Sequence, residues 1–273
     1  MAIAAKSIGV KKIIFTINNM AVPTNNPIER FLDAKVHASV DYFITASQAA
    51  SNELIKVRGI GQHKIQTIPN AVLFDHIAVD PSISVKKELN ITDGTLIMGS
   101  AGLLIERKGY DILIESARLL PRDSNWMIFI FGEGNMRSRL EGMIREYGLE
   151  KRVFLPGFRS SIHSYINVLD VFILPSIANE DMPNAINEAM LMNKPIVGSK
   201  TAGIPEQIDD GINGFLVDKA DHIQLTESIK YLLKLDDKTR LAMGESSNKK
   251  YMSSFSYNLA MEKYKAIYDA QLS

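Results

Sequence analysis

Residues 171–217 decide the fold. They read Val171-Phe-Ile-Leu174, Pro-Ser-Ile-Ala-Asn, Glu180-Asp-Met-Pro-Asn-Ala-Ile-Asn-Glu188-Ala-Met, and then, after a short break, Lys194-Pro-Ile-Val-Gly-Ser199, Gly203-Ile-Pro-Glu206 and Asp210-Gly-Ile-Asn-Gly-Phe-Leu-Val217. Val171–Leu174 is apolar at every position, as a parallel strand covered on both faces must be, and predicts a strand over Asp170–Pro175. Proline is tolerated in the first turn of a helix, so Pro183 marks a helix start, with the helix running to about Met192. Strands at Pro195–Ser199 and Gly214–Val217, with a short helix after Gly203, complete an alternating series.

The alternation extends upstream. Strand Thr95–Ala101 leads into helix Tyr110–Leu120, strand Trp126–Phe131 into helix Asn135–Gly148, and a short strand Val153–Leu155 into helix Ser161–Leu169. Helices over 222–235, 237–249 and 257–271 finish the chain. Strands alternating with helices imply right-handed crossovers, hence an α/β fold with an open, doubly wound parallel sheet. Ahead of this unit, short apolar runs at Ile13–Ile17, Asp41–Ala46 and Ile65–Ile68 read as strands, with helices over 27–39 and 47–57, the latter capped by Ser47. Asn70–Ser84, holding Pro81 and little periodicity, reads as the linker. About 75 residues precede the second unit, short for a complete nucleotide-binding half-fold, so the first unit is expected to begin partway through a domain. The core faces of Ile13–Ile17 and Tyr42–Ile44 are then expected to be exposed and to invite self-association.

Composition narrows the function. In 273 residues Lys plus Arg and Asp plus Glu are each 31, so no basic excess points to nucleic acid. No cysteine is present, which removes disulfides and thiolate metal sites and fits a reducing compartment. No apolar run approaches the ~18 residues of a spanning helix, and residues 1–20 lack a signal-peptide pattern, so a cytoplasmic protein is expected. His37, His63, His76, His163 and His222 show no metal-ligand spacing. Neither a phosphate-binding Gly-x-x-x-x-Gly-Lys loop nor a Gly-x-Ser-x-Gly elbow is present.

Glu180 and Glu188 carry the functional signal. Each carboxylate can accept from two hydroxyls, and the amides at the helix start beside Pro183, Asn184 and Ala185 can receive an anion. Hydroxyls beside phosphate describe a nucleotide sugar. By themselves, two glutamates eight apart equally describe a solvated helix start. Gly102-Leu-Leu-Ile-Glu-Arg-Lys-Gly109 ends a strand where open α/β sheets bind ligands, and its Arg107 and Lys108 can neutralise a diphosphate; alone it is also a plain basic turn. Gly132-Glu-Gly134 and Pro156-Gly157-Phe158 follow the next strands, either as site loops or as ordinary turns.

Together and in this order the pieces resemble the retaining glycosyltransferases of family 4, which have the GT-B architecture of two facing Rossmann-like domains. Gly102–Gly109 is similar to the family's Gly-Arg-Leu-x-x-x-Lys-Gly, Gly132-Glu-Gly134 to its Gly-Asp/Glu-Gly turn, and Glu180–Glu188 to its Glu-x7-Glu motif. Gly203-Ile-Pro-Glu206 and Asp210-Gly-x-Asn-Gly214 follow at the family's spacing, and Pro69-Asn70-Ala-Val72 resembles its linker entry Pro-Asn-Gly-Val, with Ala71 in place of glycine. The resemblance covers essentially the whole chain and is most specific from Thr95 to Val217. It implies a partial acceptor-side domain over 1–80, a donor-binding domain over 81–256, and a C-terminal helix over 257–273 returning to the first domain.

By the same resemblance Glu188 holds the donor ribose, Glu180 contacts the transferred sugar, Lys108 clamps the leaving diphosphate, and Gly157-Phe158 lies near the base. Gly102, Arg107, Gly132, Pro183, Asn184 and Ala185 complete the implied donor site. The implied reaction moves a sugar from a nucleoside-diphosphate donor to an acceptor hydroxyl with retention, without a metal or other cofactor. The implied acceptor is a lipid-linked sugar or polysaccharide chain of surface polysaccharide or glycolipid synthesis, which adds peripheral membrane contact and a complementing chain for the front of the first domain. Three further positions depart from the family pattern: Leu103 replaces an arginine, Asp181 a glycine, and Asn18 a histidine. These departures leave two alternatives open, a non-catalytic nucleotide-sugar-binding module and a nucleotide-sugar epimerase on the same fold.

Overall fold

The computed structural model describes residues 2–17, 26–73, 77, 79–80, 83–178 and 180–272. Asn18, at the place of the family's histidine, and His76 and Pro81 of the linker lie outside the described residues.

The first unit is a three-stranded parallel sheet. After α1 (Ala2–Ser7) come β1 (Ile14–Ile17), α2 (Pro27–Ser39), β2 (Tyr42–Thr45), α3 (Gln48–Lys56) and β3 (Ile65–Thr67), with strand order β1-β2-β3. Ser47 caps α3, its hydroxyl oxygen accepting from Ala50 N at 3.0 Å.

The second unit holds six parallel strands. In chain order it runs α4 (Val85–Glu88), β4 (Leu96–Ala101), α5 (Tyr110–Arg118), β5 (Trp126–Phe131), α6 (Arg137–Glu146), β6 (Val153–Gly157), α7 (Ile162–Asn167), β7 (Val171–Leu174), α8 (Asn184–Leu191), β8 (Ile196–Ser199), α9 (Ile204–Gln207), β9 (Gly214–Val217), α10 (His222–Lys234), α11 (Asp237–Ser254) and α12 (Tyr257–Leu272). The strand order is β6-β5-β4-β7-β8-β9. Chain direction away from β4 reverses between β6 and β7, so a switch point opens at the carboxyl ends of β4 and β7.

Period-two alternation divides each strand between two cores. Ile128 and Ile130 of β5 pack with α5, α6 and α10 on one face, while Phe129 and Phe131 pack with α7, α8 and Tyr251 of α11 on the other. That is why these strands read as uninterrupted apolar runs. Each such buried Phe or Ile contributes roughly 1.5–3 kcal/mol.

Three expectations are corrected. Tyr42–Ile44 is not an exposed core face, because both faces of β2 are covered: Phe43 packs with Val40, Leu54 and Ile60, and Ile44 with Ile68 and with Ala260 and Ile267 of α12. Exposed apolar side chains of this unit include instead Phe15 on β1 and Ile28, Phe31 and Leu32 on α2. Pro183 stands at the N-cap of α8, one residue ahead of its first turn, with an extended ψ of 122°. Its carbonyl accepts from Ile186 N at 3.1 Å, which starts the helix behind it. Pro156 and Gly157, expected as a turn, complete β6, where Gly157 pairs with Phe131.

The units are joined by polar contacts as well as by α12. Asn70 Nδ2 donates to Met182 O at 2.9 Å, Asn187 Nδ2 donates to Asn70 O at 2.8 Å, and the Tyr251 hydroxyl bridges Val72 N and O. Among the described residues no helix is long and apolar enough to cross a membrane.

Candidate active site

Loops leaving the carboxyl ends of β4, β5, β6 and β7 build the site. Gly102 N donates to Phe131 O at 3.0 Å, Leu104 N to Glu133 O at 2.9 Å and Gly132 N to Gly157 O at 3.0 Å, so the three loops are stitched together through their backbones. Gly132 has φ +137°, and a Cβ there would sit 1.9 Å from the carbonyl oxygen of Gly102. Only glycine permits that approach. Beyond this layer Leu103 and Phe158 are 60% and 73% exposed, leaving two large apolar side chains open at the strand ends.

Arg107 and Lys108 lie on a single 3-10 turn, Glu106–Lys108. Ile177 N donates to Arg107 O at 2.8 Å, which ties that turn to the segment following β7. Across the tie, Lys108 Nζ lies 2.7 Å and Arg107 Nη1 3.1 Å from Glu180 Oε1. Glu180 is only 6% exposed, a depth at which a carboxylate needs cations beside it. Both cations converge on the one oxygen, Oε1, and neutralise the buried carboxylate there. Lys108 and Glu180, given separate partners by the sequence reading, are thus joined to each other here. An arriving diphosphate would have to share Lys108 with Glu180.

α8 points its amino end at the same loops. Its first amides, on Asn184 and Ala185, have no carbonyl one turn back to bond, and the helix dipole adds partial positive charge there. Asn184 is exposed, and half-buried Ala185 packs on the sheet. Glu188 stands one turn further on, half-buried, and burial pushes its carboxyl up to about 7. His163 of α7 places Nε2 at 3.7 Å from Glu188 Oε2, and burial holds its imidazole below the usual histidine range. Sequence reasoning passed His163 over. No local motif marks it, and only the packing of α7 beside α8 brings it to Glu188.

Asp181 does not simply fill the space its glycine counterpart would leave. It is buried, turned toward the first unit, and accepts a hydrogen bond from the Ser47 hydroxyl. A cavity of about 500 Å³ lies at the opposite, amino-terminal edge of the sheet, bordered by Asp170, Lys194 and Arg240. Its charged groups serve the fold: Asp170 accepts from Ile97 N at 2.7 Å, and Lys194 donates to Asn167 O at 2.6 Å. Ligands of open α/β sheets bind at the other edge. Among the described residues no three His, Cys, Asp or Glu side chains converge as a metal ion would require.

Residues 82–250 match the family described as Glycosyl transferases group 1. The amylovoran biosynthesis glycosyltransferase AmsK of Erwinia amylovora is 29% identical over 184 residues, covering 63% of this chain and 45% of that protein. The UDP-Gal:alpha-D-GlcNAc-diphosphoundecaprenol alpha-1,3-galactosyltransferase of Escherichia coli is 25% identical over 280 residues, covering 97% of this chain and 71% of that protein. In fold the chain is similar to Anabaena Alr3699/HepE, solved in complex with UDP and glucose, with a TM-score of 0.86 at 22% identity over 97% of this chain and 73% of that one. The chain spans less than half the length of AmsK. The architecture is α/β and GT-B-like, as in these solved neighbours. With the family match extending over more than half of its length, the chain belongs to the group 1 glycosyl transferases.

Proposed function

We propose that the chain acts as a retaining, family-4-type glycosyltransferase, moving a sugar from a nucleoside-diphosphate sugar to an acceptor hydroxyl. The observation that carries this reading is the buried Glu180 with Lys108 and the partly exposed Arg107 beside it, set at the carboxyl edge of a parallel sheet near the amino end of α8. The bond between the anomeric carbon and the diphosphate oxygen breaks, and the acceptor oxygen forms a new bond on the same face while its proton passes to the departing diphosphate. Negative charge grows on the leaving diphosphate. Lys108, Arg107 and the amides of Asn184 and Ala185 are aimed to stabilise that charge, and groups held in place beforehand lower the barrier most. With these cations supplying the neutralising charge, the reaction is proposed to need no bound metal. Glu180 accepts from hydroxyls of the transferred sugar, Glu188 from the ribose, and Gly157-Phe158 borders the base.

The donor unit is assigned to 81–256, the acceptor side to 1–80, and α12 to the helix that closes back on it. Relatives named for amylovoran synthesis and for a diphosphoundecaprenol acceptor support a lipid-linked or polysaccharide acceptor. We place the reaction in the cytoplasm, at the membrane periphery.

A thermal-shift panel of UDP-, GDP- and ADP-sugars tests the reading, because a ligand stabilises in proportion to the logarithm of its saturation. One donor is expected to raise Tm and to yield, with a sugar acceptor, a product of unchanged anomeric configuration by NMR. A panel without any stabilising nucleotide overturns the reading. Binding without turnover identifies a binding module, and an altered free nucleotide sugar identifies an epimerase.

A further inference from the structure

The two units meet where α3 begins. Ser47, the N-cap of α3, donates its hydroxyl proton to Asp181 Oδ1, and Asp181 directly follows Glu180 in the chain. Alongside, Glu206 of the Gly203-Ile-Pro-Glu206 turn accepts from Gln48 N and Ala49 N, each at 3.0 Å. The amino end of α3 is thereby filled by a carboxylate of the second unit, an arrangement its dipole favours. Gly203 makes the approach feasible, since a Cβ there would lie 1.9 Å from Asp181 O and 2.8 Å from Ser47 Cβ. The segment carrying Glu180 is therefore held from two sides. Arg107 O grips it at Ile177, and α3 with Gly203 grips it at Asp181.

We propose that Ser47 and Glu206 are positioning residues: the amino end of α3 fixes residues 180–183 through Asp181 and thereby sets Glu180 against Lys108. Asp181 is 2% exposed, and its Oδ2 finds no hydrogen-bond partner among the described residues. Ser47 is consequently what satisfies this carboxylate. Removing the hydroxyl leaves a buried charge unpaired, a state that relaxes only by protonation or by movement of the segment. Burial, along with the charges of Glu206 and Glu53, already pushes the Asp181 carboxyl up, against the pull of the Ser47 hydrogen bond. Glu180 is the adjacent residue, so movement of Asp181 reaches it without an intermediary. A misplacement of about 1 Å at such a group costs on the order of a hundredfold in rate. The proposal rests on the reading above in one respect, that Glu180 faces the transferred sugar.

Ser47→Gly is the variant of choice, because glycine at an N-cap costs only a few tenths of a kcal/mol while removing the hydroxyl. Ser47→Thr keeps the hydroxyl, and Glu206→Gln weakens the second contact. Hydrogen exchange of the peptide spanning 177–183 is expected to quicken at least about fivefold in Ser47→Gly and in Glu206→Gln, with Ser47→Thr returning the wild-type rate and β4–β6 unchanged in all three. By calorimetry, Ser47→Gly is expected to bind UDP as the wild type does but UDP-glucose about tenfold more weakly. Wild-type exchange at 177–183 in Ser47→Gly, or quickened exchange throughout both sheets, overturns the proposal. If the wild-type chain binds no nucleotide of the thermal-shift panel, the donor-site reading falls while the exchange result still judges the positioning; if the panel selects another base, that nucleotide and its sugar replace UDP and UDP-glucose.

Discussion

Replacing Glu188 by alanine tests the donor site through two independent signatures. A carboxylate accepting from both ribose hydroxyls makes charge-assisted hydrogen bonds, and losing them costs roughly 1.5–3 kcal/mol, or about ten- to hundredfold in UDP affinity. The second signature is the pH dependence. Burial pushes the free carboxyl up to about 7, and only the ionised form accepts from two hydroxyls. The ionised fraction grows with pH, so between pH 6 and pH 8 wild-type affinity rises about tenfold more than that of the Glu188→Ala variant, which keeps only the titration of the UDP phosphate itself. Burial holds the imidazole of His163, the titratable neighbour at 3.7 Å, below the usual histidine range. Stability runs the other way. The folded pKa is raised above the ordinary glutamate value of about 4.5, so this residue's contribution is fully present below pH 4.5 and is lost as pH rises through about 7. The unliganded Glu188→Ala variant therefore gains on the wild type as pH climbs. Isothermal titration calorimetry with UDP at pH 6, 7 and 8 provides the check. Unchanged affinity at pH 8, or a pH slope as steep in the variant as in the wild type, refutes the assignment of Glu188 to the ribose.

Lys108→Met strands the buried Glu180 carboxylate and is expected to cost about 3 kcal/mol by urea denaturation, with Lys108→Met/Glu180→Gln recovering most of it; additive losses would show that the 2.7 Å pair does not couple them. Gly132→Ala forces a Cβ to 1.9 Å from Gly102 O and is expected to lose more than about 3 kcal/mol, so a urea midpoint within error of the wild type would show that the stitched strand-end loops can part freely.

The sequence by itself determined the order and kind of the elements in the second unit. Its strands lie between two cores, so both faces select apolar residues, and runs such as Met127–Phe131 are legible without knowing what covers them. Turn chemistry set the loop positions equally locally, because Gly132 answers to a backbone approach that admits no side chain. The residues proposed for the site could be named from spacing because ligand loops of an open sheet follow the strand ends in chain order.

What those residues touch could not be read that way. Lys108 reaches Glu180 only because β4 and β7 are sheet neighbours. His163 faces Glu188 only because α7 and α8 share one face of that sheet. The covering of Tyr42–Ile44 depended on α12 returning from the far end of the chain to pack on Ile44. Ser47 and Asp181 lie 134 residues apart and meet where one unit docks on the other. Periodicity and turn signals report forces within a few residues, whereas these contacts depend on strand order, helix layering and the docking of the two units, which only the tertiary structure decides.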